Sequence, residues 1–170
     1  MPVNEQEIRL NIFAGLVYNH FMNYRDIVQD IMKKVAELLR NSSISSGIVQ
    51  IDHVGIFPQG DHDFEVLSGS IKKEGLAIKP TPNGVIYKLN SPIQTQEGKV
   101  YLVKIYAYDL QQKRIGSVDY QVYNFQTFKR DYLSTGSVED VEDHDGEKLT
   151  VKDTNVIANF PENPAGKQFI

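Results

Sequence analysis

At Gly47 the spacing of apolar residues changes, and that change limits the folds open to this chain more than any other feature. Before it, apolar residues recur at helical intervals. Ile8, Ile12, Phe13 and Leu16 follow Asn4, a residue suited to cap a helix, with Glu5 and Glu7 in the first turn. Ile27, Ile31, Val35, Leu38 and Leu39 then form a second stripe, opposite Arg25, Asp30, Lys33 and Glu37. After it come short runs rich in Val, Ile and Tyr, divided by Gly, Pro and Asn, as in strands. These runs predict strands over 48–57, 77–80, 85–89, 99–109 and 117–125, with shorter ones at 149–151 and 155–160. Helices are predicted over 64–74 and 128–133. Asn83-Gly84 is the clearest hairpin signal. The fold class expected is α+β: a curved mixed β-sheet with two N-terminal helices packed at one edge. Residues 1–170 read as a single domain, with 1–46 as a helical segment packed on a cupped sheet of 47–160, and 161–170 as an irregular tail. Two β-rich halves, each with a helix between strands, leave room for a degenerate repeat.

Composition removes several classes of function. The chain has no cysteine, which excludes a disulfide scaffold, a thiolate zinc site and a cysteine nucleophile. Its net charge of -4 disfavours a nucleic-acid partner, and the tyrosine-rich strands suit sheet packing better than base stacking. No run reaches the ~20 apolar residues of a membrane helix. The N-terminus lacks the basic and apolar regions of a signal peptide, so a cytoplasmic location is expected. Glycine-rich nucleotide loops, the serine-hydrolase elbow and the zincin helix motif are all missing. The acidic run 136–148 reads as a surface loop, and its oxygens do not follow the order of a calcium loop.

Three ionisable groups interrupt the apolar runs. His53 lies within GIVQIDHVGIF, Asp109 ends KVYLVKIYAYD, and Asp119 lies within GSVDYQVYNF. Burying a charge without a partner is costly. One imidazole and two carboxylates on neighbouring strands suit a shared divalent metal, either Zn, Fe or Mn. The competing account makes His53 a core or rim histidine bonded to a carboxylate, Asp109 a turn cap and Asp119 a polar group of a surface or pocket. Strict alternation puts Val49, Ile51, His53, Gly55 and Phe57 on one face, and Gln50, Asp52, Val54 and Ile56 on the other. Ser117, Asp119, Gln121 and Tyr123 share a face, which suits the inside of a cup. Tyr87, Tyr108, Gln121 and Tyr123 are the candidate ligand-binding residues. His62 suits a turn or helix start, His20 a joint between helices, and His144 a solvated loop.

The order of these elements resembles the YecM-like branch of the vicinal-oxygen-chelate superfamily, also called glyoxalase/dioxygenase-like. The resemblance rests on Ile51-Asp52-His53-Val54-Gly55-Ile56, on Ile86-Tyr87-Lys88-Leu89-Asn90-Ser91-Pro92, on Asp109-Leu110, on Gly116-Ser117-Val118-Asp119 and on Asn155 to Phe160. It covers roughly residues 47 to 160. It implies βαβββ modules forming a cupped sheet that often holds one divalent metal through His and Glu. This chain departs from the pattern, with Asp119 where the group tends to carry histidine and the shorter Asp109 where it carries glutamate. The function implied is a small-molecule-binding protein or metal-dependent enzyme acting on a small oxygen-rich substrate. The alternative is a non-catalytic interaction or structural protein on the same scaffold. The partners admitted are a small molecule and a second copy in a homodimer, with no nucleic acid and no membrane.

Overall fold

The structure is a computed structural model that describes residues 23–143 and 146–168. The helix expected after Asn4, together with His20 and His144, lies outside these residues. Helix α1 spans Tyr24–Asn41. It starts where Asn23 accepts hydrogen bonds from the amides of Arg25 and Asp26, the usual service of an N-cap. Its stripe of Tyr24, Val28, Ile31, Met32, Val35 and Leu39 is fully buried. The helix was expected at a sheet edge. It instead runs across the sheet, against β1 (Val49–Ile56), β3 (Gly84–Thr95), β5 (Gly116–Val122) and β8 (Val156–Pro161). Only the sheet centre offers enough apolar area to cover a stripe of this length. Tyr24 and Arg25 secure its first turn on Glu74, with bonds of 2.8 and 2.7 Å.

The remaining elements are α2 (Asp61–Ile71), β2 (Gly75–Thr81), β4 (Gly98–Tyr106), α3 (Phe125–Leu133), β6 (Glu139–Asp143) and β7 (Gly146–Lys152). All eight strands form one sheet in the order β2-β3-β4-β1-β5-β8-β7-β6. The order hides a repeat. β1-α2-β2-β3-β4 and β5-α3-β6-β7-β8 have the same plan, and in each the first strand pairs parallel with the last. The halves join where β1 and β5 run antiparallel, with Val54 opposite Val118. Core residues from the three described helices form one cluster with Val54, Val103, Val118, Ala158 and Phe160. Among the described residues the helices therefore cover one face of the sheet and leave the other open.

Several boundaries differ from the sequence reading. The run 136–148 is not a loop, since it supplies β6 and the start of β7, paired from Glu139–Thr150 to Asp143–Gly146. Its acidic residues hid strand character because an edge strand tolerates charge. The helix read as 64–74 starts earlier, at Asp61, where Asp61 and Asp63 suit its first turn. β3 continues past Leu89 because its pairing with β4 shifts register between Lys88 and Ile93, which accommodates Pro92. β4 ends at Tyr106, short of Asp109. The tail is ordered as a 3-10 turn at Ala165–Gln168 and packs against β1.

Candidate functional site: a polar row on the open face

A sheet covered by helices on one face commonly turns polar side chains to the other, solvated face. Here the second face carries a polar row. Lys104 on β4, His53 on β1, Ser117 on β5, Asn159 on β8 and Thr150 on β7 are all buried. The register accounts for the row: Gly55 lies opposite both Lys104 and Ser117, His53 opposite Asp119, Asp119 opposite Asn159, and Asn159 opposite Thr150.

A bulge sets the geometry at its centre. Between Ile51 and His53, β1 advances two residues while β5 advances from Tyr120 to Asp119. Asp52 is the extra residue, and a bulge of this kind redirects a side chain. Alternation had put Asp52 and His53 on opposite faces, yet Asp52 Oδ2 accepts from His53 Nδ1 at 2.9 Å. The Asp52 side chain is fully buried and that of His53 is 5% exposed. Asp52 Oδ1 also accepts from Gln121 Nε2 at 2.8 Å, and the Gly166 amide donates to both carboxylate oxygens at 2.9 and 3.0 Å. Gly166 has no alternative at this contact, since a Cβ there would lie 2.5 Å from Asp52 Oδ1. The carboxylate thus fixes the ring and its tautomer, and Nε2 points to the open side.

His53 Nε2 is 4.0 Å from Asp119 Oδ2. That exceeds a hydrogen bond and leaves room for a ligand atom to bridge the two groups. Asp119 is itself oriented, because Asn159 Nδ2 donates to its Oδ1 at 2.8 Å and Thr150 Oγ1 donates to Asn159 Oδ1 at 3.0 Å. Lys104 Nζ donates to Asn83 Oδ1 at 2.8 Å and lies 4.1 Å from the Tyr106 ring centre. Over these groups opens a cavity of about 320 Å³, walled on one side by Pro164 and Ala165 of the C-terminal segment. A larger cavity of about 600 Å³ lies beside Val49–Asp52. Its charged lining is Asp52, which is committed to His53, Gln121 and Gly166, and the exposed Lys88, Glu97 and Lys99; His53 and Asp119 do not line it. The smaller cavity is therefore the site with converging chemistry.

Burial by itself pushes the His53 pKa down. The nearby Asp119 charge and the hydrogen bond to Asp52 push it up and prevail, against opposition from Lys104, so the net shift is upward. A raised folded-state value means that the imidazolium stabilises the fold. That contribution is complete below the unfolded value of ~6.5 and disappears as pH rises through the folded value. Relative to His53→Gln, the wild type is expected to lose stability as pH rises above the unfolded value of ~6.5. Urea midpoints for both proteins below and above that value are the check, and a difference independent of pH would refute it.

The structure brings together some of the candidate residues and separates others. His53, Asp119 and Gln121 meet on the open face. Asp109 does not join them: it is exposed in the turn after β4, where its Oδ1 accepts from the Gln111 amide at 2.9 Å. Tyr87 is buried in the core on the helix side, Tyr123 is fully exposed beyond the end of β5, and Tyr108 is half-buried after β4. His62 is exposed in the first turn of α2. Sequence reasoning missed Lys104, Asn159 and the second-side role of Asp52. A lysine inside the apolar run VYLVKIY was a usable signal for the first. Nothing local marked the others.

A metal shared by His53, Asp109 and Asp119 does not fit this arrangement. Two of the donors converge, whereas catalytic zinc sites use three protein ligands. Glu147, the other acid lining the cavity, is paired with Lys129. Among the described residues no group of three His, Cys, Asp or Glu side chains is placed to hold a metal.

Fold and site together define an α+β protein with one curved eight-stranded sheet, helices on one face and a polar cavity on the other. No family model matches the chain, and no curated protein matches it. A solved structure described as "Structural Genomics, Protein EC4020" is similar over 83% of this chain and 92% of that one, with a TM-score of 0.63 at 15% identity. The hypothetical protein BH1468 from Bacillus halodurans C-125 aligns over 66% of this chain and 92% of its own, with a TM-score of 0.40 at 18% identity. The first likeness establishes a shared fold. Among the described residues no helix is long and apolar enough to cross a membrane.

Proposed function

We propose that the protein binds a small oxygen-rich molecule in the 320 Å³ cavity, engaging it with His53 Nε2 and the Asp119 carboxylate. The observation that carries this reading is the 4.0 Å gap between two oriented, oppositely disposed groups at the cavity floor. Each is held from behind, His53 by Asp52 and Asp119 by Asn159, so neither needs to reorganise when a ligand hydroxyl or carboxyl arrives. His53 can give a proton to the ligand or take one, because Asp52 holds the ring in either protonation state. A buried polar row of this kind adds little to stability compared with apolar packing. Its place on the open face suits a binding role.

The two βαβββ halves and the Asp52-His53 pair support placing the chain in the vicinal-oxygen-chelate superfamily, near its YecM-like branch. The ligand-facing chemistry differs from the metal chelation associated with that superfamily. In the proposed reading the chain's own imidazole and carboxylate take the role of the metal in orienting ligand oxygens. The open polar cavity also weighs against a purely structural role for the scaffold.

The test follows the His53 ring signals by NMR while hydroxy acids, 2-oxo acids and vicinal diols are added to metal-free protein. At least one class is expected to shift those signals, and Asp119→Asn is expected to weaken its binding about tenfold or more, as for a lost charge-assisted bond. If no class moves the His53 signals, the reading fails. Stoichiometric Zn or Mn that survives dialysis and is lost in His53→Ala would replace it with a metal-centred one.

A further inference from the structure

On one side the cavity over His53 is bounded by the ring of Tyr106. A second cavity of about 430 Å³ lies beyond that ring, and Asn83, Tyr106 and Asn159 line both. The two are compartments of one groove along the open face, with the Tyr106 ring as the partition between them.

The residues around the ring are fitted to it. Tyr106 packs on Gly55 of β1, where a Cβ would meet its Cε2 at 2.6 Å. The same Cβ would lie 2.7 Å from Ser117 Oγ on β5, so ring and hydroxyl share the space that the glycine leaves. Larger side chains at either position would expel the ring. Ser117 Oγ is buried and has no hydrogen-bond partner among the described residues. A hydroxyl left in that state costs stability, so the packing here serves more than stability. Two contacts hold the ring in place. Phe57 meets it edge-on with centroids 4.7 Å apart, and Lys104 Nζ lies 4.1 Å from its centre, within cation–π range.

The compartments differ in their walls. His53, Asp119 and Asn159 make the near one polar. Beyond the ring, Phe57, Pro58, Ala107, Val141 and Ile157 offer apolar surface. Ligand pockets ordinarily run from ~300 to ~1,000 Å³. At about 320 Å³ the near compartment stands at the lower limit, and a ligand with a longer carbon chain needs the space behind the ring.

We infer that Tyr106 sets the size of the ligand: with its ring in place the His53 site takes compact hydroxy or oxo acids and rejects those whose chain runs past the ring. This rests on the reading of the His53 cavity given above and adds the residue that determines its selectivity, by a clash against the longer competitor.

Titrations followed on the His53 ring signals by NMR, using the full chain, test this. The probes are lactate against 2-hydroxyoctanoate and pyruvate against 2-oxooctanoate. In at least one pair the wild type is expected to bind the short acid about tenfold or more tightly than the long one. Tyr106→Ala is expected to reverse that order, because the chain then reaches the apolar wall beyond. Tyr106→Phe keeps the ring and should keep the wild-type order, which separates the partition from a general loss of packing. Tyr106→Leu should change the ratio less, in the same direction, and serves if Tyr106→Ala does not fold. An unchanged ratio in the ring-trimmed variants, or a wild type that binds the long acid as well as the short one, would overturn the partition and leave the His53 site standing. Failure of all four acids to move the His53 signals would overturn this inference, and the site reading with it if vicinal diols fail as well.

Discussion

Asp52→Ala is expected to cost about 4 kcal/mol, within the ~3–5 kcal/mol that follows removal of one partner from a buried pair. The carboxylate is fully buried and accepts from three sources: the His53 ring, the Gln121 amide and the Gly166 backbone. Removing it leaves three donors without their acceptor, each costing ~1–3 kcal/mol if unsatisfied. Some of that is recovered where Gln121, at the half-buried margin, turns to water. Whole domains are stable by only ~5–15 kcal/mol, so the loss is a large share of the total. The C-terminal segment should also detach, because Gly166 loses the bonds that seat it. Urea unfolding gives the first quantity, and amide exchange at Gly166 gives the second. A loss below about 1 kcal/mol, typical of an ordinary surface change, would show that the carboxylate does not organise this site.

Phe160→Ala is expected to destabilise by about 4 kcal/mol, as large-to-small changes at buried aromatics do. Phe160 is completely buried on β8. Its ring stacks on Tyr120 of β5 at 5.8 Å and meets Phe128 of α3 at 4.7 Å. Phe128 in turn packs against Tyr132 at 4.6 Å. The ring therefore ties the helix of the second half to the strands of that half. Because β5 continues the sheet into the first half, the loss should appear in one cooperative transition that also reports α1. Thermal unfolding followed by helix and tyrosine signals is the measurement. Two separated transitions would mean that the halves unfold independently, despite the continuous sheet.

The polar row is where stability and binding part company. Lys104, His53 and Asn159 are buried polar groups on central strands, and each must be desolvated there. On the helix-covered face the equivalent positions are Val103, Val54, Val118 and Ala158. The two faces of the same strands thus carry opposite chemistry, and the raised pKa of His53 is one physical consequence.

Local physics determined the elements. Apolar spacing placed α1 and most strands, and Asn83-Gly84 marked the β2–β3 turn, because those signals act over a few residues. The acidic run 136–148 escaped because β6 is an edge strand, where charge is tolerated and alternation is weak. Within the site, His53 and Asp119 were legible as ionisable groups in apolar strands, and their meeting depends on the β1–β5 register. The tyrosines were not legible, since Tyr87 and Tyr123 owe their places to the helix-covered core and to the end of a strand. The partnership of Asp52 with His53 came from the tertiary structure alone. Alternation sends adjacent residues to opposite faces, and only the β1–β5 register creates the bulge that brings these two together. The contacts of Gly166 with Asp52 and of Asn159 with Asp119 likewise join residues far apart in the chain. Short-range spacing encodes which residues are buried and in what element. Which polar groups face one another across strands depends on register, and register is settled only when the whole sheet has closed around its core.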